Sequence, residues 1–336
     1  MGVEVQRERP PRAALAWAER VLGGEVTRVR AFTGGMTSAV HQLSLRLADG
    51  RTRQAVLRRY VLSEVLDDVP DIVEREDVVL RLLDDVELPT PRLLGSDGLK
   101  RRAADGGPDV PALLMERLPG RPVWRPHEEN WLRGLAEVLP VLHAVRAGGE
   151  AGAAGSSPGV DGARAGSAAA GSALPSPDGG GSPAGAWADG VAAFEAYEPE
   201  RYEPPPWLRR PKLWERALEL FQRPVGEPSV LIHRDYHPGN VLWRGGKVSG
   251  VVDWQSACAG PPSIDVGWCR LELLQECGFE PAMQFTALWE DLAGATYHPA
   301  AEVTLLVDKL GMTHDEPPPL PQVHEELLAK ALAALG

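Results

Sequence analysis

The sequence predicts a two-lobed α+β fold: a small antiparallel β-sheet lobe carrying one helix, then a larger, mainly helical lobe. Three observations predict it. Strand-like runs with hairpin signals crowd the chain up to Leu118. From His127 onward apolar residues recur at helical spacing. Between the two regimes Pro119-Gly120 interrupts the chain. A length of 336 residues suits two units, read as 1–118 and 119–336, and a 43% apolar composition suffices for a substantial core.

In the first unit Val26–Phe32, Val40–Ala48 and Arg53–Tyr60 are strand-like, and Asp49-Gly50 is a hairpin turn signal. Residues Asp71–Asp84 carry Ile72, Val73, Val79, Leu80, Leu82 and Leu83 in a pattern that suits a helix packed on the sheet, ended by Pro89 and Pro91. Arg92–Gly95 and Val110–Leu118 read as two more strands. In the second unit Trp131, Leu132, Leu135, Val138, Leu139 and Leu142 share one helical face. Residues 147–186 are almost entirely Gly, Ala, Ser and Pro, which bury too little apolar surface to offset their ordering entropy; they read as a flexible insertion. Ser229–His233 is a short apolar strand, and Val241–Arg244 with Val248–Val252 forms a hairpin across Gly245-Gly246. Ile264–Cys277, Pro281–Ala293, Pro299–Leu310 and Gln322–Leu335 are helical by periodicity.

A net charge of −12 argues against a nucleic-acid or anionic-membrane partner and leaves room for a cationic small molecule. Three cysteines at spacings that match no zinc or redox motif fit a reducing compartment. With no signal-peptide pattern and no bilayer-length apolar run, the expected location is cytoplasmic. Composition leaves the oligomeric state open.

The strongest chemical signal is His233-Arg234-Asp235-Tyr236-His237-Pro238-Gly239-Asn240. Phosphoryl transfer asks a protein for an aimed acceptor hydroxyl and charge compensation on the phosphates. A carboxylate on a rigid loop, Asp235, with an amide five positions on, Asn240, answers both: the first orients and deprotonates a hydroxyl, the second offers Mg²⁺ a hard oxygen. The apolar strand Gly250-Val251-Val252 ends in Asp253, a second oxygen donor placed to bridge Mg²⁺ to phosphates. Two other readings remain: a polar loop before an ordinary hairpin, and a zinc site built on the alternating His233, Asp235 and His237, which would need a further ligand cluster.

The run Ile232–Leu242, the segment Val251-Val252-Asp253-Trp254 and the stretch Gly260–Gly267 together resemble the aminoglycoside phosphotransferase-type small-molecule kinases, whose fold is protein-kinase-like. The resemblance implies ATP or GTP as phosphoryl donor, Mg²⁺ as cofactor and a hydroxylated small molecule as acceptor. Carried into the first unit, it implies that Gly34, Gly35, Thr37 and Ser38 cover the nucleotide. Arg58 stands where protein kinases hold a phosphate-binding lysine, and Glu76 is the helix acid that pairs with it. The same resemblance implies that Met115 and Glu116 lie on the strand whose backbone would meet the purine, and that Asp265 braces the catalytic loop. Strand alternation allows only one of Arg58 and Arg59 to face a cleft. Glu272 and Glu276 have two readings, contacts to an amino sugar or a solvated helix face.

Overall fold

The computed structural model describes residues 7–32, 37–98, 107–124, 129–145, 190–196, 207–221, 223–312 and 320–336. The insertion expected over 147–186 lies outside them. The small lobe is a five-stranded antiparallel sheet in the order β1 (Gly24–Ala31), β2 (Ala39–Leu47), β3 (Thr52–Arg59), β5 (Ala112–Glu116), β4 (Leu93–Asp97). The β2–β3 hairpin turns through Gly50 at φ +82°, a conformation open to glycine, with Asp49 Oδ1 accepting from the Arg51 N–H at 3.0 Å. Alternation assigns the two faces: Leu43, Leu45, Ala55, Leu57, Ala112 and Leu114 point one way, Arg58, Leu113 and Met115 the other.

Each face is covered by a helix. The helix expected near residues 71–84 is α3 (Ile72–Leu82), on the side of Arg58. The opposite face is closed by α1 (Arg12–Leu22), which the sequence reading did not assign. Its Ala14, Leu15, Trp17, Ala18 and Leu22 fall at helical spacing and pack on Leu43, Leu45 and Leu57. Pro11 starts it and Gly23, in the left-handed region, ends it. A short helix, α2 (Ser63–Asp68), links β3 to α3.

The large lobe is built on α4 (Glu129–His143), α6 (Pro262–Cys277), α7 (Phe279–Ala293), α8 (Pro299–Met312) and α9 (Pro321–Leu335), with α5 (Pro211–Leu220), also unassigned from sequence, packed near α8 and α9. All six residues of the anticipated α4 stripe are buried. Two small sheets sit toward the first lobe: β7 (Val230–Ile232) with β10 (Cys258–Gly260), and β6 (Arg121–Pro122), β8 (Val241–Arg244), β9 (Lys247–Val251). The β8–β9 turn runs through Gly245 and Gly246, both at positive φ, as a tight two-residue hairpin requires. At the lobe junction Gly120 has φ +106°, and a Cβ there would lie 2.4 Å from Ser249 Oγ.

His324 on α9 is buried, and its imidazole Nε2 has no hydrogen-bond partner among the described residues. Burial, with Lys309 adding to it, pushes its pKa down to about 4. Because the folded value lies below the unfolded one, about 6.5, the unfolded chain binds the proton more readily between them. Stability is therefore expected to fall as pH drops from about 6.5 toward 4, by up to about 3 kcal/mol. Urea melts at pH 7 and pH 4.5 measure this, and His324→Gln should flatten the difference.

Candidate functional site

The pairing of β7 with β10 sets the residue after one strand, His233, beside the start of α6 after the other. There the buried Asp265 carboxylate accepts from two backbone groups, the His233 N–H at 2.9 Å and the Arg234 N–H at 2.7 Å. His143 Nε2 lies 3.1 Å away from it. Arg234 sits at φ +66°, costly for a side chain of this size, and the Asp265 clamp holds the backbone there. Asp265→Asn would turn an amide donor toward one of those N–H groups. It is expected to destabilise the protein by about 1–3 kcal/mol, measurable as a lowered urea midpoint.

The loop then folds on itself. Asn240 Nδ2 donates to Asp235 O at 2.9 Å and to Asp235 Oδ2 at 3.0 Å. The indole of Trp268, on α6, donates to the other carboxylate oxygen, Asp235 Oδ1, at 3.1 Å. Each oxygen of Asp235 thus has its own donor. Burial pushes this carboxyl up, but His237, His233 and the Asn240 bond together outweigh burial, and it stands below the usual carboxylate value.

A second set of bonds joins this loop to the strand bearing Asp253. The Val252 N–H donates to Asn240 O at 2.9 Å, and His233 Nε2 lies 3.0 Å from Val252 O. The His233 ring also packs on Trp254, centroids 4.5 Å apart. Since Val252 O only accepts, the His233 proton resides on Nε2. His237 Nδ1 accepts from the Gly239 N–H at 3.1 Å. His233 is thereby held by backbone, the other nitrogen of His237 lies 3.1 Å from Asn240 Nδ2 and 3.7 Å from Asp235 Oδ1, and among the described residues no three His, Cys, Asp or Glu side chains are arranged to share a metal ion. The zinc reading has no support here.

Asp253 is itself in the left-handed region, φ +73°, ψ +57°. Its Oδ1 is buried and makes no hydrogen bond among the described residues, with Arg58 Nη2 at 3.0 Å as an ion-pair neighbour. Asp253, paired with Arg58, and the side-chain oxygen of Asn240 are hard oxygen donors on segments joined by the Val252–Asn240 bond, a donor set of the kind a hard divalent cation takes. The residues present fit Mg²⁺.

Arg58 is the arginine that faces Asp253. Its Nη1 donates to both oxygens of Glu76 at 2.8 and 3.0 Å, while Nη2 reaches toward Asp253. Burial works against its charge, but Asp253 and Glu76 more than offset that and raise its pKa, so Arg58 is fully protonated. Arg59, one position on, faces the other way and pairs with Asp109. Tyr60 returns to the cleft side and donates to Glu76 Oε2 at 3.0 Å.

The remaining sequence candidates fall as follows. Gly34 and Gly35 lie outside the described residues. Thr37 Oγ1 is engaged by Gln255, and Ser38 is buried. Met115 is buried in the sheet core. The Glu116 N–H donates to Arg92 O at 2.9 Å, so a purine there would meet other backbone groups of this segment. Glu272 accepts from Lys309 Nζ at 2.8 Å and is charge-compensated rather than a bare carboxylate. Sequence reasoning missed Trp268, Gln255 and Tyr60. The parity of β3 extended to residue 60 would have found Tyr60; no local pattern marks the other two.

Comparison with known proteins agrees with this architecture. One family model, described as a phosphotransferase enzyme family, matches residues 36–303. A homoserine kinase from Beijerinckia indica subsp. indica is 36% identical over 72 residues, a stretch that covers 21% of this chain and only 18% of that protein. Among solved structures, the macrolide 2'-phosphotransferase MphH from Brachybacterium faecium superposes with a TM-score of 0.53 at 18% identity, covering 95% of this chain and 97% of its own. A thermostable mutant of aminoglycoside phosphotransferase APH(4)-Ia, in ternary complex with AMP-PNP and hygromycin B, gives 0.55 at 15% identity over 93% and 95% of the two chains. At such identities these likenesses establish the two-lobed kinase-like fold. With the family match spanning most of its length, this chain belongs to the phosphotransferase enzyme family.

Proposed function

We propose that the protein transfers the γ-phosphoryl group of ATP or GTP to a hydroxyl of a small molecule. The observation that carries this reading is the doubly anchored Asp235 carboxylate, bonded to Asn240, whose own backbone carbonyl is tied to the strand that ends in Asp253. Asp235 orients the acceptor hydroxyl and takes its proton as the new P–O bond forms and the bond to the β-phosphate oxygen breaks. Its depressed pKa makes it a weak base, which suits a loose transition state in which positioning matters more than early proton removal. Asn240 and Asp253 would hold Mg²⁺, which when bound offsets phosphate charge. Arg58, locked in place by Glu76, adds a fixed positive charge on the same side. In this reading residues 1–118 form the nucleotide lobe and 119–336 the acceptor lobe, with 147–186 a flexible insertion.

The acceptor class is open to two readings. The solved relatives act on macrolides or bind hygromycin B, which favours an antibiotic-like acceptor. The homoserine kinase match favours a hydroxylated metabolite, and the pairing of Glu272 with Lys309 removes one carboxylate that a cationic amino sugar could use. No helix among the described residues is long and apolar enough to cross a membrane, and the proposed location is the cytoplasm, where Mg²⁺ and nucleoside triphosphates are abundant. The test is a purified-protein screen with Mg·ATP and Mg·GTP against aminoglycosides, macrolides and hydroxylated amino acids, read by mass of the phosphorylated product. Absence of product with every acceptor, alongside retained nucleotide binding, would point to a regulatory nucleotide-binding module instead.

A further inference from the structure

Around Gln255 lies a ring of polar groups, joined by hydrogen bonds or ion pairs except between Tyr60 and Gln255, which only approach each other, and the transfer step above does not use it. Gln255 belongs to the turn Trp254–Ser256, directly after Asp253. Its side-chain amide meets Thr37 Oγ1, 3.0 Å from Nε2 and 3.1 Å from Oε1. Tyr60 Oη lies 3.3 Å from Gln255 Oε1 and 3.0 Å from Glu76 Oε2. Tyr60 has a single hydroxyl proton, and the nearer, charged Glu76 takes it. Glu76 in turn holds Arg58, and Arg58 neighbours Asp253. The peptide chain from Asp253 to Gln255 closes the ring. Tyr60, Glu76 and Arg58 are all buried, where a broken link leaves a polar group without a partner.

The position of this ring matters because Asp253 is held in a sterically costly backbone conformation. On its N-terminal side it is fixed by the Val252–Asn240 bond. On its C-terminal side the Trp254 indole donates to Val251 O at 2.9 Å, and Gln255 reaches across to Thr37, two residues before β2.

We propose that Gln255 is a positioning residue, a clasp that ties the β2 end of the small lobe to the turn carrying Asp253 and so keeps that carboxylate aimed for metal-bound nucleotide. The inference rests on the nucleotide-binding reading of this cleft. Gln255 touches neither phosphate nor acceptor in this role; it acts through Thr37 and Asp253.

The test uses the full chain and measures dissociation constants for Mg·ATP and Mg·GTP, and for the same nucleotides in EDTA, with ligand-free thermal melts alongside. Variants are Gln255→Ala, Thr37→Val, Thr37→Ser and the Gln255→Ala/Thr37→Val pair. Gln255→Ala and Thr37→Val are each expected to weaken Mg·nucleotide binding about fivefold, the size one buried hydrogen bond contributes. Thr37→Ser, which keeps the hydroxyl, should lose less than Thr37→Val. The double variant should also lose about fivefold, not about twenty-five-fold, since both changes break one contact. Binding in EDTA should change less than binding with Mg²⁺, because the clasp works through Asp253; a general loosening of the fold would lower both equally. Multiplicative losses in the double variant, equal losses with and without Mg²⁺, or unchanged or tighter binding by Gln255→Ala would overturn the clasp. Wild type that binds neither nucleotide would overturn the nucleotide reading itself, and the clasp's role with it.

Discussion

Asp235→Ala is expected to lower turnover by about a thousandfold, within the range a positioned acid–base group contributes, while nucleotide affinity changes less than threefold. The asymmetry follows from geometry. Asp235 is bonded through Trp268 on one oxygen and Asn240 on the other, and these bonds are separate from the Arg58–Glu76–Asp253 cluster proposed to serve the nucleotide. A thousandfold loss corresponds to about 4 kcal/mol of transition-state stabilisation, far more than a surface contact could supply. Asp235→Asn should be nearly as damaging. It keeps the shape, but both oxygens of the native carboxylate accept hydrogen bonds, and an amide would set an N–H against one of those donors. Single-turnover assays with Mg·ATP, run beside equilibrium binding of the nucleotide, separate the two quantities. A variant with turnover within tenfold of wild type would remove Asp235 from the centre of the chemistry.

Arg58→Met is expected to destabilise the protein by about 3–5 kcal/mol, the usual cost of stripping one partner from a buried ion pair. Arg58 and Glu76 are among the most buried charges of the small lobe, and Asp253 depends on the same guanidinium. Removing the arginine leaves the Glu76 and Asp253 carboxylates without the guanidinium they share, and among the described residues Tyr60 still donates to Glu76. Arg58→Lys should fall between wild type and Arg58→Met. An ammonium keeps the charge but lacks the planar fork that serves Glu76 with one nitrogen and Asp253 with the other. Arg58→Met/Glu76→Gln should recover part of the loss, since the buried charge opposite the missing one is removed too. Urea denaturation of the three variants gives the ordering; an Arg58→Met protein as stable as wild type would show that the pair contributes nothing to the fold.

Much of this molecule was legible in the sequence because its signals are local. The spacing from Asp235 to Asn240 and the strand that ends in Asp253 place three oxygen-bearing side chains within one short span, and a tight turn at Gly245-Gly246 brings the strands back together. Helical periodicity named the buried face of α4 residue by residue. In each case the geometry is set by neighbours a few positions away, so spacing alone carries it.

What the tertiary structure decided is partnership across distance. Alternation said that Arg58 and Arg59 face opposite ways; only packing against α3 chose Arg58 for Glu76 and the cleft, leaving Arg59 to Asp109. The Trp268 bond to Asp235 and the Gln255 contact with Thr37 join segments whose separation in the chain bears no relation to their separation in space. The sheet's second cover, α1, was written plainly enough in its own periodicity, yet its role emerged only with the apolar face it closes. Local backbone preferences and periodicity are written in consecutive residues, whereas the pairing of buried polar groups depends on which surfaces meet once the chain has collapsed, and that is settled by the whole fold at once.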